Sequence, residues 1–128
     1  MRYSWSKFGR EAEYVVALYL KSSGWSYVSL SPGSRGPADI TASHRDSKWF
    51  IQVKASSGLP RLRSREVSRL KEFANERKGL AVLSTLQPFA SGAFLTGNFA
   101  INFYEIDSWK NLDPALPISR TAPRLPSL

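Results

Sequence analysis

The sequence predicts an α/β protein, with about five β-strands and two amphipathic helices packed against them. Three observations carry that reading. Apolar residues recur at helical spacing over residues 8–22 and again over 64–78, marking two helices with one buried stripe each. Five short runs between and after them are rich in Val, Ile, Phe, Tyr and Trp, the composition of strands. Two of these runs, 38–43 and 48–56, flank the polar His44-Arg45-Asp46-Ser47, which reads as the turn of a hairpin.

Each element follows in order. Tyr3 and Trp5 lie in a short lead, and Ser4 or Ser6 can cap the helix after it. Phe8, Ala12, Val15, Val16, Tyr19 and Leu20 form the stripe of the first helix, and Gly24 closes it as a left-handed cap. Glu11 and Glu13 lie on opposite flanks of that stripe. The helical wheel does not choose between them, and both also suit a solvated position near a helix N-terminus. Residues 25–30 read as the first strand. The loop 31–37, dense in Gly, Pro and Ser, sits directly before Asp39; its Arg35 and free backbone amides could meet a phosphate, and its composition suits a plain surface loop equally. After the hairpin, a loop holds Arg61 and Arg63. In the second helix Val67, Leu70, Phe73 and Ala74 form the apolar face, with Ser64 as N-cap and Gly79 as C-cap. Residues 80–86 read as a buried strand, 87–98 as a loop with Phe89 and Phe94, and 99–106 as the last strand. Residues 107–112 read as a helical turn. One domain is expected over 1–112, with 113–128 as a Pro-rich tail.

Composition narrows the function. The chain has 128 residues, enough for one domain with a real core. Its formal net charge is +8, from 18 Lys plus Arg against 10 Asp plus Glu. That excess favours a polyanionic partner, nucleic acid before an acidic membrane surface. Arg61, Arg63, Arg65, Arg69 and Lys71 make the densest cluster, partly neutralised by Glu66, Glu72 and Glu76. The absence of Cys excludes disulfides and thiolate metal sites, and a lone His44 speaks against a zinc centre or a His relay. No apolar run approaches the roughly 18 residues of a membrane span, and no signal sequence is visible, so a cytoplasmic protein is expected.

The hairpin carries the candidate chemistry. With its turn centred on Arg45-Asp46, Asp39 falls opposite Gln52. Residues two apart on a strand share a face, so Gln52 and Lys54 point the same way, and Asp39 joins them. An acid, an amide oxygen and an ammonium then meet at one spot, which can hold a divalent cation beside a reacting phosphate. Gln-x-Lys alone is also what a half-exposed strand looks like.

Several motifs in order resemble one family. Gly9-Arg10-Glu11-Ala12-Glu13, the loop with Pro37-Ala38-Asp39-Ile40, Ile51-Gln52-Val53-Lys54, Arg69-Leu70-Lys71-Glu72-Phe73, Ala81-Val82-Leu83 and Phe103-Tyr104-Glu105-Ile106 are similar to the archaeal Holliday junction resolvases of the PD-(D/E)XK nuclease superfamily. The resemblance implies a restriction-endonuclease-like fold with a central mixed sheet flanked by helices. It implies Glu13, not Glu11, as an active-site acid, and Mg²⁺ or Mn²⁺ held by Glu13, Asp39 and Gln52. Lys54 would then orient the attacking water or stabilise the transition state. Ser34 and Arg35 would position the scissile phosphate, and Arg61, Arg63, Arg69 and Lys71 would contact its neighbours. It further implies a homodimer cutting branched DNA, with aromatics of the 99–104 strand and the loop before it as candidate interface. One departure matters: Gln52 stands where most members carry Glu. Mrr-type restriction enzymes also pair Asp with Gln-x-Lys. A duplex or flap nuclease, or an inactive DNA-binding module of the same fold, therefore stays open.

Overall fold

The computed structural model describes residues 5–31, 36–55, 62–88 and 99–115. Helix α1 (Trp5–Ser22) is followed by β1 (Tyr27–Leu30), β2 (Ile40–His44), β3 (Ser47–Ala55), helix α2 (Ser64–Glu76), β4 (Leu80–Pro88), β5 (Phe99–Glu105) and β6 (Asn111–Leu112). The six strands form one sheet in sequence order, β1 to β6. Every neighbouring pair is antiparallel except β3 and β4. That pair is parallel because α2 carries the chain back across the sheet. The sheet is thus mixed, as expected, but it has six strands rather than about five.

The extra strand is β6, where a helical turn was expected. The Trp109 N–H donates to the Glu105 carbonyl, Trp109 takes φ 57°, and the chain folds back so that Glu105 N–H bonds Lys110 O. Pro114 is buried and its carbonyl accepts the Trp25 indole N–H at 3.0 Å, so packing continues past residue 112.

Alternation along the strands divides the core into two layers. Trp49, Ile51 and Val53 of β3, with Val82 and Leu86 of β4, pack under Ala12, Val16 and Leu20 of α1. Phe50 of β3, with Ala81 and Leu83 of β4, packs under Leu70 and Ala74 of α2. Gln52 and Lys54 therefore share the α2 side. The α1 stripe is the one read from the sequence, although the helix opens earlier, at Trp5, and the Phe8 side chain lies outside the described residues. Tyr19 is 42% exposed but stacks on Phe103, whose ring is itself buried against Trp49. Phe103 belongs to the core and offers no free ring to a partner, which corrects its reading as an interface aromatic; residues 89–98, expected as part of that interface, lie outside the described residues.

Both helix ends explain where the strands begin. After α1, Gly24 takes φ 101° and the Trp25 N–H reaches back to Leu20 O, a Schellman closure. Trp25 is thereby held in the cap, its ring 4.7 Å from that of Trp49, and β1 starts only at Tyr27. After α2 it is Lys78, not Gly79, that takes the left-handed conformation (φ 56°), while the Gly79 N–H bonds Ala74 O. Gly79 serves close approach instead: a Cβ there would collide with the Phe50 ring and crowd the Lys48 carbonyl. Gly79→Ala should therefore cost about 1–3 kcal/mol, read as a fall in melting temperature of roughly 5–15 °C. Among the described residues no helix is long and apolar enough to cross a membrane.

Candidate active site

The hairpin turn centres on Arg45 and Asp46, with Arg45 at φ 55°. The register pairs His44 with Ser47 and Ile40 with Ile51. Asp39, the residue before β2, accordingly stands across from Gln52, as the turn position implied. Asp39 has left the ladder but is held from both sides. Its N–H donates to Ile51 O at 2.7 Å, and its C=O accepts the Ser31 N–H at 2.8 Å. Its Oδ2 accepts the Val53 N–H at 2.8 Å. Ser31 Oγ adds a bond to the neighbouring Ala38 carbonyl at 2.7 Å. The carboxyl group thus projects from fixed backbone although it sits at the end of a loop.

Asp39 is only 5% exposed. Burial pushes its pKa above the usual carboxylate value; the Val53 N–H and the Lys54 ammonium oppose that, and Glu66 adds to it. An acid enclosed in this way gains strongly from a cation placed beside it.

The cleft before Asp39 has a volume of about 330 Å³. Glu13 of α1, Gly36 and Pro37, Gln52 of β3, and Glu66 and Arg69 of α2 form its walls with Asp39. Of the two acids on α1, half-buried Glu13 lines the cleft, whereas Glu11 is exposed and outside its wall. The carboxylates of Asp39 and Glu13 and the amide oxygen of Gln52 are all hard oxygen donors, the set that Mg²⁺ or Mn²⁺ takes. Among the described residues, no three Asp, Glu, His or Cys side chains gather as a metal centre.

Lys54 reaches across to α2, its Nζ 3.1 Å from Glu66 Oε2. Glu66 in turn accepts the Arg63 N–H on Oε1 at 3.0 Å, at the start of α2. The backbone bond from Arg63 holds the Glu66 carboxyl below its usual pKa; burial, next in size, opposes it, and the Lys54 ammonium adds to the lowering. Arg63 is the N-cap residue and Ser64 the first residue of the helix, so the expected Ser64 cap is replaced by the Glu66 bond.

The basic residues divide. Arg69 lines the cleft, and Arg63 and Arg65 line a recess that Glu66 shares. Lys71 instead pairs with Asp107 at 2.7 Å, beside the turn after β5, and forms no part of the cleft wall. Ser34, Arg35 and Arg61 lie outside the described residues. Glu66 is the site residue that the sequence reading missed, since it was grouped with Glu72 and Glu76 as a neutralising charge. Its position one turn before Leu70, at the edge of the buried stripe, is the signal that could have singled it out.

In fold the chain is similar to Hjc, a Holliday junction resolvase from the archaeal hyperthermophile Archaeoglobus fulgidus. The TM-score is 0.64 at 23% sequence identity, over 82% of this chain and 78% of that one. The likeness bears out the restriction-endonuclease-like architecture expected from the sequence. No curated protein matches the chain in sequence. The family model of the Mrr-type restriction endonuclease catalytic domain matches residues 5–98, a span that takes in α1 through β4 and the whole cleft, and the chain belongs to that restriction endonuclease family.

Proposed function

We propose that this chain is a metal-dependent DNA endonuclease that hydrolyses phosphodiester bonds, with four-way junctions as its preferred substrate. The observation that carries the reading is the clamped, buried Asp39 across from Gln52, with Lys54 on the same strand face and Glu13 on the cleft wall. Asp39, Glu13 and the Gln52 amide oxygen would hold Mg²⁺ or Mn²⁺, which when bound supplies an activated water and offsets charge on the phosphate. Lys54 donates its N–H to the phosphate oxygen on which charge grows, or holds the attacking water in line. Arg69, with Arg63 and Arg65 beside it, grips neighbouring phosphates without reading bases, so affinity falls steeply with salt. Ser34, Arg35 and Arg61 remain candidates for phosphate contacts by their place in the chain. Two symmetric cuts need two sites, so the active species would be a homodimer.

Cleavage of linear or flapped duplex is the second reading. Gln52 and membership of the restriction endonuclease family favour it. An end-labelled four-way junction and a matched linear duplex, incubated with the protein in Mg²⁺ and in Mn²⁺, separate the two. Paired cuts near the branch point, at least about tenfold faster than duplex cutting, are expected for a junction enzyme, a preference of ~1.4 kcal/mol in the transition state. Equal rates on both substrates would assign the duplex reading. Binding without cutting in either metal would leave a DNA-binding module.

A further inference from the structure

We infer that Glu66 is a positioning residue of this site: from α2 it supplies the negative charge that Gln52 does not supply on β3, and so holds the Lys54 ammonium beside the cleft that Glu66 itself lines. The inference rests on the reading of Lys54 as a catalytic residue.

Residues 52 and 54 share a strand face, so an acid at position 52 would be the nearest same-face neighbour of Lys54. Gln52 is neutral there. Asp39 acts on the Lys54 charge only at longer range, with its Oδ2 engaged by the Val53 N–H. Among the described residues, the ion pair that Lys54 makes is with Glu66. An exposed Lys–Glu contact ordinarily fixes little, since two long side chains must be ordered to make it. Here one partner is already fixed: Glu66 Oε1 accepts the Arg63 N–H, and only Oε2 turns to Lys54. The ammonium is therefore aimed by the start of α2. Glu66 turns Oε1 to the Arg63 N–H and Oε2 to Lys54, which assigns it to holding Lys54 rather than to the cation. Glu66 also borders both the cleft and the Arg63–Arg65 recess. A phosphate gripped by these arginines would bear on the same short stretch of helix that aims Lys54.

Glu66→Gln separates this role from helix capping. The amide oxygen can still accept the Arg63 N–H, while its NH₂ group can only repel the ammonium. Three measurements on the full chain decide. First, in metal-free wild type, acetylation by a small acylating reagent, mapped by mass spectrometry, should be slower at Lys54 than at exposed Lys48 on the same strand. In Glu66→Gln it should rise about three- to fivefold at Lys54, as the strength of a half-exposed ion pair allows. Second, Glu66→Gln should melt within about 5 °C of wild type, and its Mn²⁺ affinity should fall by less than the roughly 10- to 100-fold that loss of a group supporting a ligand brings. Third, single-turnover cleavage should fall about 10- to 100-fold in rate with DNA KM little changed, the signature of a misplaced group. Gln52→Glu in the Glu66→Gln background should recover most of that rate.

Equal acetylation of Lys54 in wild type and Glu66→Gln overturns the inference, whatever the protein cuts. So does a cleavage rate within twofold of wild type, or a Mn²⁺ affinity that collapses with Glu66, which would make it a cation ligand. If wild type cuts no DNA in either metal, the nuclease reading falls. The acetylation rates would still show by themselves whether Glu66 holds Lys54.

Discussion

Asp39→Asn should abolish cleavage and at the same time make the metal-free protein harder to unfold. The two effects share one cause. Asp39 is enclosed, and burial holds its pKa above the ordinary value near 3.8. For an acid whose pKa is raised by folding, stability is fully present below the unfolded-state value, where both states are protonated. It is then lost as pH rises through the folded-state value. At pH 7 the native protein thus carries an ionised group that its surroundings disfavour. Asn keeps the shape and can still accept the Val53 N–H through its amide oxygen, but it has no charge to enclose. The gain should be on the order of 1 kcal/mol, the scale of single substitutions, and a few degrees in melting temperature. It should be present at pH 7 in EDTA and shrink toward zero as pH falls below the ordinary carboxylate value. Adding Mg²⁺ or Mn²⁺ should reverse the order, because only wild type gains from the cation. Cleavage should drop at least about 10³-fold, since on the proposed reading Asp39 would be the main ligand of the cation that activates the water. A variant less stable than wild type at pH 7 in EDTA would show that the Asp39 charge is well accommodated without a cation, and would undercut the metal reading.

Asp39 was legible in the sequence for a reason that applies to the whole hairpin. Strand period is two, so one polar turn at Arg45-Asp46 fixes which residues oppose which. The pairing of Ile40 with Ile51 follows from it, and so does the position of Asp39 across from Gln52. The stripes of α1 and α2 were legible because the helical period is regular. What stayed hidden depends on how elements cross. The helical wheel could not choose Glu13 over Glu11, because the choice depends on where the sheet edge meets α1. Glu66 lies on a different element from Lys54, and only the packing of α2 on β3 brings them to 3.1 Å. The pairing of Lys71 with Asp107 has the same origin. Gly79 was read as a cap because Gly usually takes that place. The Phe50 ring imposes a steric demand on Gly79, and the left-handed turn moves to Lys78. The strand β6 has two residues, too few to show any period.

Lys54→Ala should separate chemistry from stability more cleanly than a substitution in the cleft wall, which Lys54 adjoins through Glu66. The Lys54 and Glu66 side chains are 31% and 35% exposed, so their pair is partly screened by water. Its loss should cost no more than about 1 kcal/mol. Glu66 keeps its bond to the Arg63 N–H, so the start of α2 stays in place. The DNA surface loses one cation of several, and KM should rise only a few-fold. The logarithmic salt slope should fall by about one unit, the contribution of one phosphate contact. The rate of the chemical step should fall about 10²–10³-fold, the usual loss when one charged donor to a developing oxyanion is removed. Single-turnover cleavage at saturating protein measures that rate apart from binding. A loss confined to KM would move Lys54 out of the reaction and into the same class as Arg63 and Arg65, as one more phosphate contact. A large fall in rate with an unchanged melt would place its ammonium at the reacting phosphate.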